Sequence, residues 1–191
     1  IKVDVWQDPE MLANGDLSRY QLIVQNYCNW ESPSLSQGSR KKLLAFVQGG
    51  GGLMLIHFAN GAWRDWPDYY GRISRRIWVD GKANHDAYGP FNVRVVNHES
   101  LLTRGIADFP TVDELYCSQV GDLPVEPLVT ARSKVTGKEE PLAYTYMEGK
   151  GRVFQTLLGH DAGALLTPGH AEIIRRAAEY VCNREVIPQP V

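Results

Sequence analysis

Two histidines follow apolar segments of the chain and are the first candidates for chemistry. His57 comes after Leu53–Ile56, and His160 comes just past the apolar end of Arg152–Leu158. An imidazole titrates near neutral pH, so it can accept a proton, donate one or bind a metal ion. Asp161, beside His160, is a carboxylate of the kind that orients an imidazole or raises its basicity. Both histidines are therefore candidates for proton transfer, and a buried structural histidine is the alternative for His57.

Carboxylates and a further histidine complete the polar candidates. Asp113 and Glu114 lie in the β-type sequence VDELY, and neighbouring residues of a strand point to opposite faces. We therefore expect only one of the two to face the histidines, and we choose Glu114 as the candidate. His85 and Asp86 lie in the long aromatic segment Trp66–Pro90, and loops of this length are usually functional or mobile. They are candidate ligand contacts if the segment folds over the site, and a solvated pair otherwise.

Aromatic residues are dense around these positions. Flat rings with polar tips suit sugars, whose faces are apolar and whose edges carry hydroxyls, but they suit core packing equally well. The aromatic residues concerned are Tyr27, Trp30, Trp63, Trp66, Tyr69, Tyr70, Trp78 and Tyr88.

The elements that must position these residues are predicted to alternate between strands and helices. Tyr20–Asn26 is a continuous apolar run, typical of a strand covered on both faces. Ser36–Gln48 has one apolar side and ends at glycines, as expected for a helix. Because Leu53–Ile56 is another buried-strand run, the order predicts a βαβ unit. Ligands of such sheets bind at the carboxyl ends of strands, where His57 lies.

The run Gly49–Gly52 raises the alternative of a phosphate-binding loop. A dinucleotide-binding loop follows a strand and opens a helix, so that the helix N-terminus holds the pyrophosphate. Here the glycines end a helix and precede a strand, and no Lys-Ser/Thr pair follows them. We therefore interpret them as a helix end and a tight turn.

The rest of the chain is predicted to be mostly β-type, with one closing helix. The β-type segments are Val3–Trp6, Phe91–Val96, Val112–Cys117, Pro127–Ala131, Leu142–Tyr146 and Arg152–Leu158, with a hairpin at Glu148-Gly149. The helix is predicted over Gly169–Asn183, where apolar residues recur at helical spacing. We expect a single domain over residues 1–185 and an unstructured tail over residues 186–191.

Composition narrows the classes of partner. The chain has 191 residues, 43% of them hydrophobic, and a net charge of −2 without a basic stripe, so nucleic acid is not expected as a partner. No apolar run approaches the roughly 18 residues of a membrane span. Cys28, Cys117 and Cys182 form no CxxC pair, which argues against disulfides and a thiolate zinc site. We expect a soluble protein, cytoplasmic rather than secreted, and leave a homo-oligomer open.

Five segments taken in order resemble one known family. They are GGGLMLIHFANGAW, HDAYGPF, NHESLLTRGI, DELY and GKGRVFQTLLGHD. Together they are similar to the trehalose-utilisation (ThuA-like) proteins of the class I glutamine-amidotransferase-like superfamily. The resemblance implies an α/β fold with a doubly wound, mostly parallel, flavodoxin-like sheet. The family's first strand and helix, which normally precede the equivalent of Val3–Val5, are not found in this sequence.

The resemblance also bears on chemistry. It implies that the turn holding His57 corresponds to the nucleophile elbow, where amidotransferases carry cysteine, so thiol-based glutamine hydrolysis is not expected. The family's usual His-Pro is His98-Glu99 here, which weakens a role for His98. Family members belong to carbohydrate metabolism, beside oxidoreductases that make keto-sugars.

We hypothesise an enzyme that cleaves or isomerises an oxidised (keto-) disaccharide or glycoside by histidine acid/base chemistry. His57 would be the general base, His160 its acid partner or a ligand for hydroxyls, and Asp161 the orienting carboxylate, with Glu114 as an additional catalytic carboxylate. The expected contacts to the sugar are Asn26, Tyr27, Trp63, His85, Asp86 and Tyr88.

Two alternatives stay open. In the first, His57, His160 and a carboxylate hold a divalent metal that activates water, which makes the protein a metal-dependent hydrolase. In the second, the protein is a non-catalytic sugar-binding or interaction module. A small-molecule sugar is the expected ligand in each case, and the sequence requires no cofactor other than the metal of the first alternative.

Overall fold

The described part of the chain begins with alternating α-helices and strands, continues as a run of strands and ends in two α-helices. The structure is a computed structural model that describes residues 2–28, 34–189 and 191. The α-helices in these ranges are α1 (Met11–Asn14), α2 (Gln37–Gln48), α3 (Ala162–Leu166) and α4 (Pro168–Val181). The strands are β1 (Leu22–Gln25), β2 (Gly52–Ile56), β3 (Asn84–His85), β4 (Gly89–Val95), β5 (Phe109–Asp113), β6 (Tyr116–Cys117), β7 (Pro127–Arg132), β8 (Glu139–Glu148) and β9 (Gly151–Thr156).

A seven-stranded sheet, counted over the described ranges, organises the fold in the order β1-β2-β9-β8-β7-β4-β5. The strands β1, β2 and β9 run parallel, whereas the other pairings within this sheet are antiparallel. The short strands β3 and β6 pair with each other in a second sheet. Because β2 and β9 are parallel neighbours, the residues that follow them meet at one edge of the sheet.

Helices cover both faces of the parallel part of the sheet, which explains why β2 is buried along its whole length. Leu53 and Leu55 pack in the cluster that contains the apolar side of α2. Met54 and Ile56 pack in the cluster that contains the apolar side of α4. Burying a side chain such as leucine contributes about 1.5–3 kcal/mol, so these two layers hold the end of β2 rigidly. The predicted α/β fold with helices on both faces is confirmed. The sheet is mixed rather than mostly parallel as predicted, because β4, β5, β7 and β8 join it through antiparallel pairings.

The glycine run has the structural role that the sequence predicts. Gly49 caps α2, and Gly50 has a φ of 113°, a conformation that favours glycine. A Cβ atom on Gly52 would lie 2.7 Å from the carbonyl oxygen of Val181, so only glycine lets β2 approach the end of α4 this closely. The predicted helix before the run, the strand after it and the β8–β9 hairpin are confirmed.

Two predictions for the beginning of the chain are wrong. Residues 2–6 have irregular backbone instead of a strand, and Val3 and Val5 are 69% and 83% exposed. A strand needs a neighbour for its backbone N–H and C=O groups, and within the described residues β1 pairs only with β2. For the same reason β1 is an edge strand with Val24 52% exposed, and is not covered on both faces as predicted.

Two further predictions need correction. The segment Val112–Cys117 is not one strand, because β5 ends at Asp113, whose side chain accepts a hydrogen bond from the backbone N–H of Glu114. The chain then leaves the large sheet and pairs as β6 with β3. The tail has no regular secondary structure in its described part, but the N–H groups of Ile187 and Gln189 donate hydrogen bonds to carboxylates of α4.

No helix in the described ranges combines the length and the apolar character needed to cross a bilayer. The three cysteines are free thiols.

Candidate functional site

A pocket of about 360 Å³ opens at the sheet edge where β2 and β9 end. Its volume lies at the small end of the range for small-molecule sites, about 300–1,000 Å³. The residues that line it are His57, Phe58, Trp78, His85, Glu114, Tyr116 and His160. Both histidines chosen from the sequence therefore share one pocket, with ring centroids 5.5 Å apart.

His57 is held at the pocket by the turn that follows β2. Its φ of 47° is uncommon for a residue other than glycine and starts the sharp turn His57–Gly61. The Nδ1 atom lies 2.9 Å from the carbonyl oxygen of Leu157. A carbonyl only accepts hydrogen bonds, so Nδ1 carries the proton, and in the neutral ring the lone pair lies on Nε2.

The surroundings of His57 favour the neutral ring. The side chain is buried, and burial lowers its pKa below the ordinary value because the imidazolium loses water contacts. The hydrogen bond to Leu157 opposes this effect, as do the charges of Asp113 and Glu114. Burial is the largest of these effects, so Nε2 is available as a proton acceptor or metal ligand near neutral pH.

Glu114 is the carboxylate that faces the histidines. Its Oε2 atom lies 3.2 Å from Nδ1 of His160 and 3.7 Å from Nε2 of His57. Its Oε1 atom lies 3.8 Å from Nδ1 of His85, which also contacts the carbonyl oxygen of Asp86 at 2.9 Å. Three imidazoles thus surround one carboxylate. The donor atoms of His57, Glu114 and His160 lie within 4.8 Å of one another, a spacing that fits a divalent metal.

Asp113 has a different role from its neighbour, as the alternation of a strand predicts. It is fully buried and accepts hydrogen bonds from the N–H groups of Gly159, at 2.7 Å, and His160, at 3.1 Å. Gly159 has a φ of 122°, which the turn after β9 requires. Asp113 therefore fixes the turn that carries His160, while Glu114 contacts its ring.

An aromatic wall faces this polar cluster. Tyr116 is 3% exposed, and its hydroxyl lies 2.9 Å from Nε2 of His57. Its ring packs against Trp78, with centroids 5.2 Å apart, and against Phe58, at 6.1 Å. The pairing of β3 with β6 places His85 directly opposite Tyr116. Burial raises the pKa of Tyr116 far above its ordinary value, so its hydroxyl remains protonated.

Tyr88 and Asp161 lie at the rim of the pocket. The Tyr88 hydroxyl donates a hydrogen bond of 2.7 Å to Asp161, and its ring centroid lies 5.3 Å from that of His160. Asp161 also caps α3 by accepting from the N–H of Ala164. The carboxylate closest to the His160 ring is thus Glu114, and the geometry gives Asp161 the role of a helix cap.

Four predicted sugar contacts lie elsewhere. Asp86 is buried and accepts hydrogen bonds from Ser133 and from two backbone N–H groups of the following turn. Trp63 stacks on Tyr27 and packs in the core on the α2 side. Asn26 is exposed just after β1 and is not among the pocket residues. Trp30 lies outside the described residues.

The long aromatic segment is fastened to the sheet rather than loose. Gln155 of β9 accepts a hydrogen bond from the N–H of Arg75 and donates to the carbonyl oxygen of Arg76 and the hydroxyl of Ser74. Gln155 is fully buried, so these contacts are protected from water. The segment forms a fixed wall, which places Trp78 and His85 in the pocket.

Sequence reasoning missed Phe58 and Tyr116 as pocket residues and noted Trp78 only as one of many aromatics. A signal for Tyr116 was present, because it lies two residues after Glu114 and period-two spacing puts both on one face of an extended segment. Nothing in the sequence distinguishes Trp78 from Trp63, since both lie in aromatic surroundings.

A larger, open groove of about 900 Å³ lies beside α1 and the end of α2. Its charged lining groups are already engaged. Asp16 accepts hydrogen bonds from Ser18, and Lys42 donates to the carbonyl oxygen of Gly15. We therefore place the candidate site at the smaller pocket, where several titratable groups converge.

Comparison with known proteins assigns the family. Residues 1–181 match the family model described as ThuA, trehalose utilisation. The chain belongs to the ThuA family. The description of the ThuA family suggests a carbohydrate-related role. No curated protein sequence is significantly similar to the chain.

Solved structures of ThuA-like proteins share the fold. A ThuA-like protein from Parabacteroides merdae is 27% identical with a TM-score of 0.77, covering 92% of this chain and 75% of that chain. One from Bacteroides uniformis is 19% identical with a TM-score of 0.73, covering 93% of this chain and 76% of that chain. A β-galactosidase from Rahnella is 18% identical with a TM-score of 0.55, covering 92% of this chain and 24% of that chain. At under 25% identity the last two show the fold alone.

Proposed function

We propose that the protein is a carbohydrate-processing enzyme that cleaves or isomerises an oxidised sugar, with His57 as the general base. The observation that carries the proposal is the hydrogen bond from Nδ1 of His57 to the Leu157 carbonyl, which leaves the Nε2 lone pair directed at the pocket. The trehalose-utilisation description of the family supports a sugar as the substrate.

The reaction begins at a carbon next to a ketone. A carbonyl makes the hydrogen on the neighbouring carbon acidic, so one well-placed base can remove it. Nε2 of His57 takes this proton, and the electron pair forms an enolate. When the enolate collapses, the bond to a leaving group on the next carbon breaks, and the departing oxygen takes a proton from His160. Delivery of a proton to the opposite face of the same carbon, without loss of the leaving group, gives the epimeric sugar instead, which is an isomerisation.

The walls of the pocket suit a sugar ring. Phe58, Trp78 and Tyr116 form an apolar side on which the C–H face of a pyranose can stack. The imidazoles and Glu114 form the opposite, polar side and can hydrogen-bond to hydroxyls. The volume of about 360 Å³ fits one ring better than a long chain, so the second unit of a disaccharide would lie at the rim near Tyr88.

Turnover of 3-keto-trehalose or a 3-keto-glucoside tests the proposal. We expect the wild type to release the second unit and His57→Ala to lose most of this activity, by about 10²–10⁴-fold. His98→Ala is the matched control, because His98 is exposed and does not line the pocket. Equal rates for wild type and His57→Ala would remove His57 from the mechanism. Calorimetric binding of the sugar without any turnover would favour the sugar-binding module.

A metal-dependent hydrolase is the second candidate. It is favoured by the donor atoms of His57, Glu114 and His160, which lie within 4.8 Å of one another. The Leu157 carbonyl would act as the outer partner that fixes the ring of a metal-bound histidine. A bound metal would supply an activated water molecule. Metal analysis of protein purified without chelator tests this version. If that protein contains no bound divalent metal and EDTA does not change its activity, the metal-dependent mechanism is contradicted.

A further inference from the structure

We infer that Tyr116 is a second catalytic residue, whose hydroxyl donates a hydrogen bond to the enolate oxygen of the keto-sugar. The inference rests on the proposed function and deepens it, because it names the group that stabilises the charge formed when His57 removes the proton. The inference depends on the position of the Tyr116 hydroxyl beside Nε2 of His57.

Packing fixes that position. Tyr116 belongs to β6, and its ring is buried against Trp78 and Phe58. The ring centroid lies 4.4 Å from that of His57, and the hydroxyl lies 2.9 Å from Nε2. A hydroxyl on a buried ring with two aromatic neighbours moves little, so the donor is in place before the substrate arrives. Such preorganised donors are a large source of transition-state stabilisation.

The geometry matches the atoms of an enolising ketone. The acidic hydrogen sits on the carbon bonded to the carbonyl carbon, so a base at that hydrogen and a donor at the carbonyl oxygen must be close neighbours. Nε2 of His57 and the Tyr116 hydroxyl have this relationship. The substrate proton moves to Nε2, the electron pair moves toward oxygen, and the phenol keeps its own proton because a phenol is only weakly acidic, with an ordinary pKa of about 10.

A purely structural role explains the hydroxyl less well. In the free protein Tyr116 donates to Nε2 of His57, but the tautomer of that ring is already set at Nδ1 by the Leu157 carbonyl. The second hydrogen bond is therefore not needed to orient His57. When a ketone enters, the hydroxyl can turn from the lone pair to the carbonyl oxygen, which frees the base at the same moment.

Exchange of the acidic proton in D₂O, followed by NMR on a 3-keto-glucoside, tests the role of Tyr116. We expect Tyr116→Phe to slow exchange by about 10²–10³-fold, the usual effect of losing one such donor. Binding of the corresponding non-oxidised glucoside, measured by calorimetry, should stay unchanged. Tyr180→Phe is the control, because Tyr180 lies near the end of α4 with its ring under Arg152.

The outcomes separate the two proposals. Exchange by Tyr116→Phe at the wild-type rate overturns the role of Tyr116 and leaves the proposed function intact. No exchange and no turnover by wild type overturns the proposed function itself. If Tyr116→Phe does not fold, Tyr116→Met replaces it, since this apolar side chain also lacks a donor. Exchange slowed by about 10²–10³-fold with unchanged binding of the non-oxidised glucoside then supports the inference, and exchange at the wild-type rate contradicts it.

Discussion

The Nδ1 atom of His57 lies 2.9 Å from the carbonyl oxygen of Leu157, a residue 100 positions further along the chain. The two residues follow β2 and β9, which are parallel neighbours in the sheet. A backbone carbonyl neither titrates nor rotates freely, so it holds the imidazole in one tautomer and one orientation. The position of the reactive Nε2 is thereby fixed by two buried, paired strands.

The pH dependence of kcat/KM follows from this environment. His57 is active as the neutral base, and burial lowers its pKa below about 6.5. The active form is therefore fully present above that value and is lost as the pH falls through the lowered pKa. We expect the acid limb of the pH–rate profile to be centred below 6.5. An acid limb centred above 6.5 would contradict the assignment.

Replacement of Glu114 tests which carboxylate serves His160. Glu114→Gln keeps the shape but removes the charge that lies 3.2 Å from Nδ1 of His160. We expect kcat to fall by about 10²-fold or more, because the ring of His160 that donates the proton loses its charged partner. Asp161→Asn should have the smaller effect, since Asp161 contacts Tyr88 and the start of α3. A larger loss in Asp161→Asn would restore Asp161 as the orienting group.

Asp113→Asn is expected to weaken both the fold and the site. The buried carboxylate accepts from the N–H groups of Gly159, His160 and Glu114, and the amide nitrogen of asparagine cannot accept. One backbone donor is left unsatisfied, which costs about 1–3 kcal/mol. Urea unfolding measures this loss. Asp122→Asn, at an exposed position, should change the free energy of unfolding by less than about 0.5 kcal/mol.

The stability of the fold should depend on the ionisation of Glu172 in α4. Hydrogen bonds from Arg175 are the main reason that the pKa of this buried carboxyl falls to about 2, and Arg176 and Gln189 add to them. Its contribution is complete above the ordinary pKa of 4.5 and is lost as the pH falls through about 2.

We expect Glu172→Gln to lower the free energy of unfolding at pH 7 by about 3 kcal/mol, because Arg176 remains buried without its charged partner. The difference from wild type should shrink as the pH is lowered from 4.5 toward 2. Urea unfolding across this range measures it, with the exposed Glu126→Gln as control. A difference that does not change with pH would mean that the carboxylate charge is not responsible.

Local patterns determined much of the fold. The sequence predicted the strand at Leu53–Ile56, the helix before it and the closing helix α4. These elements could be predicted because apolar residues recur at the spacing of the buried face of a strand or helix. The edge position of β1 could not be predicted, because a run of apolar residues is compatible with both a central strand and an edge strand. The neighbours of a strand are decided by sheet topology, not by the strand itself.

The sequence by itself determined that His57 and His160 follow strands and that one residue of the Asp113-Glu114 pair would face them, because strand ends and the pleat are local properties. Only the tertiary structure decided that Glu114 contacts His160, that Tyr116 joins His57, and that Trp78 lines the pocket whereas Trp63 fills the core. These contacts join residues that are far apart in the chain. The local sequence around a tryptophan or a tyrosine does not show which residues it will contact after folding.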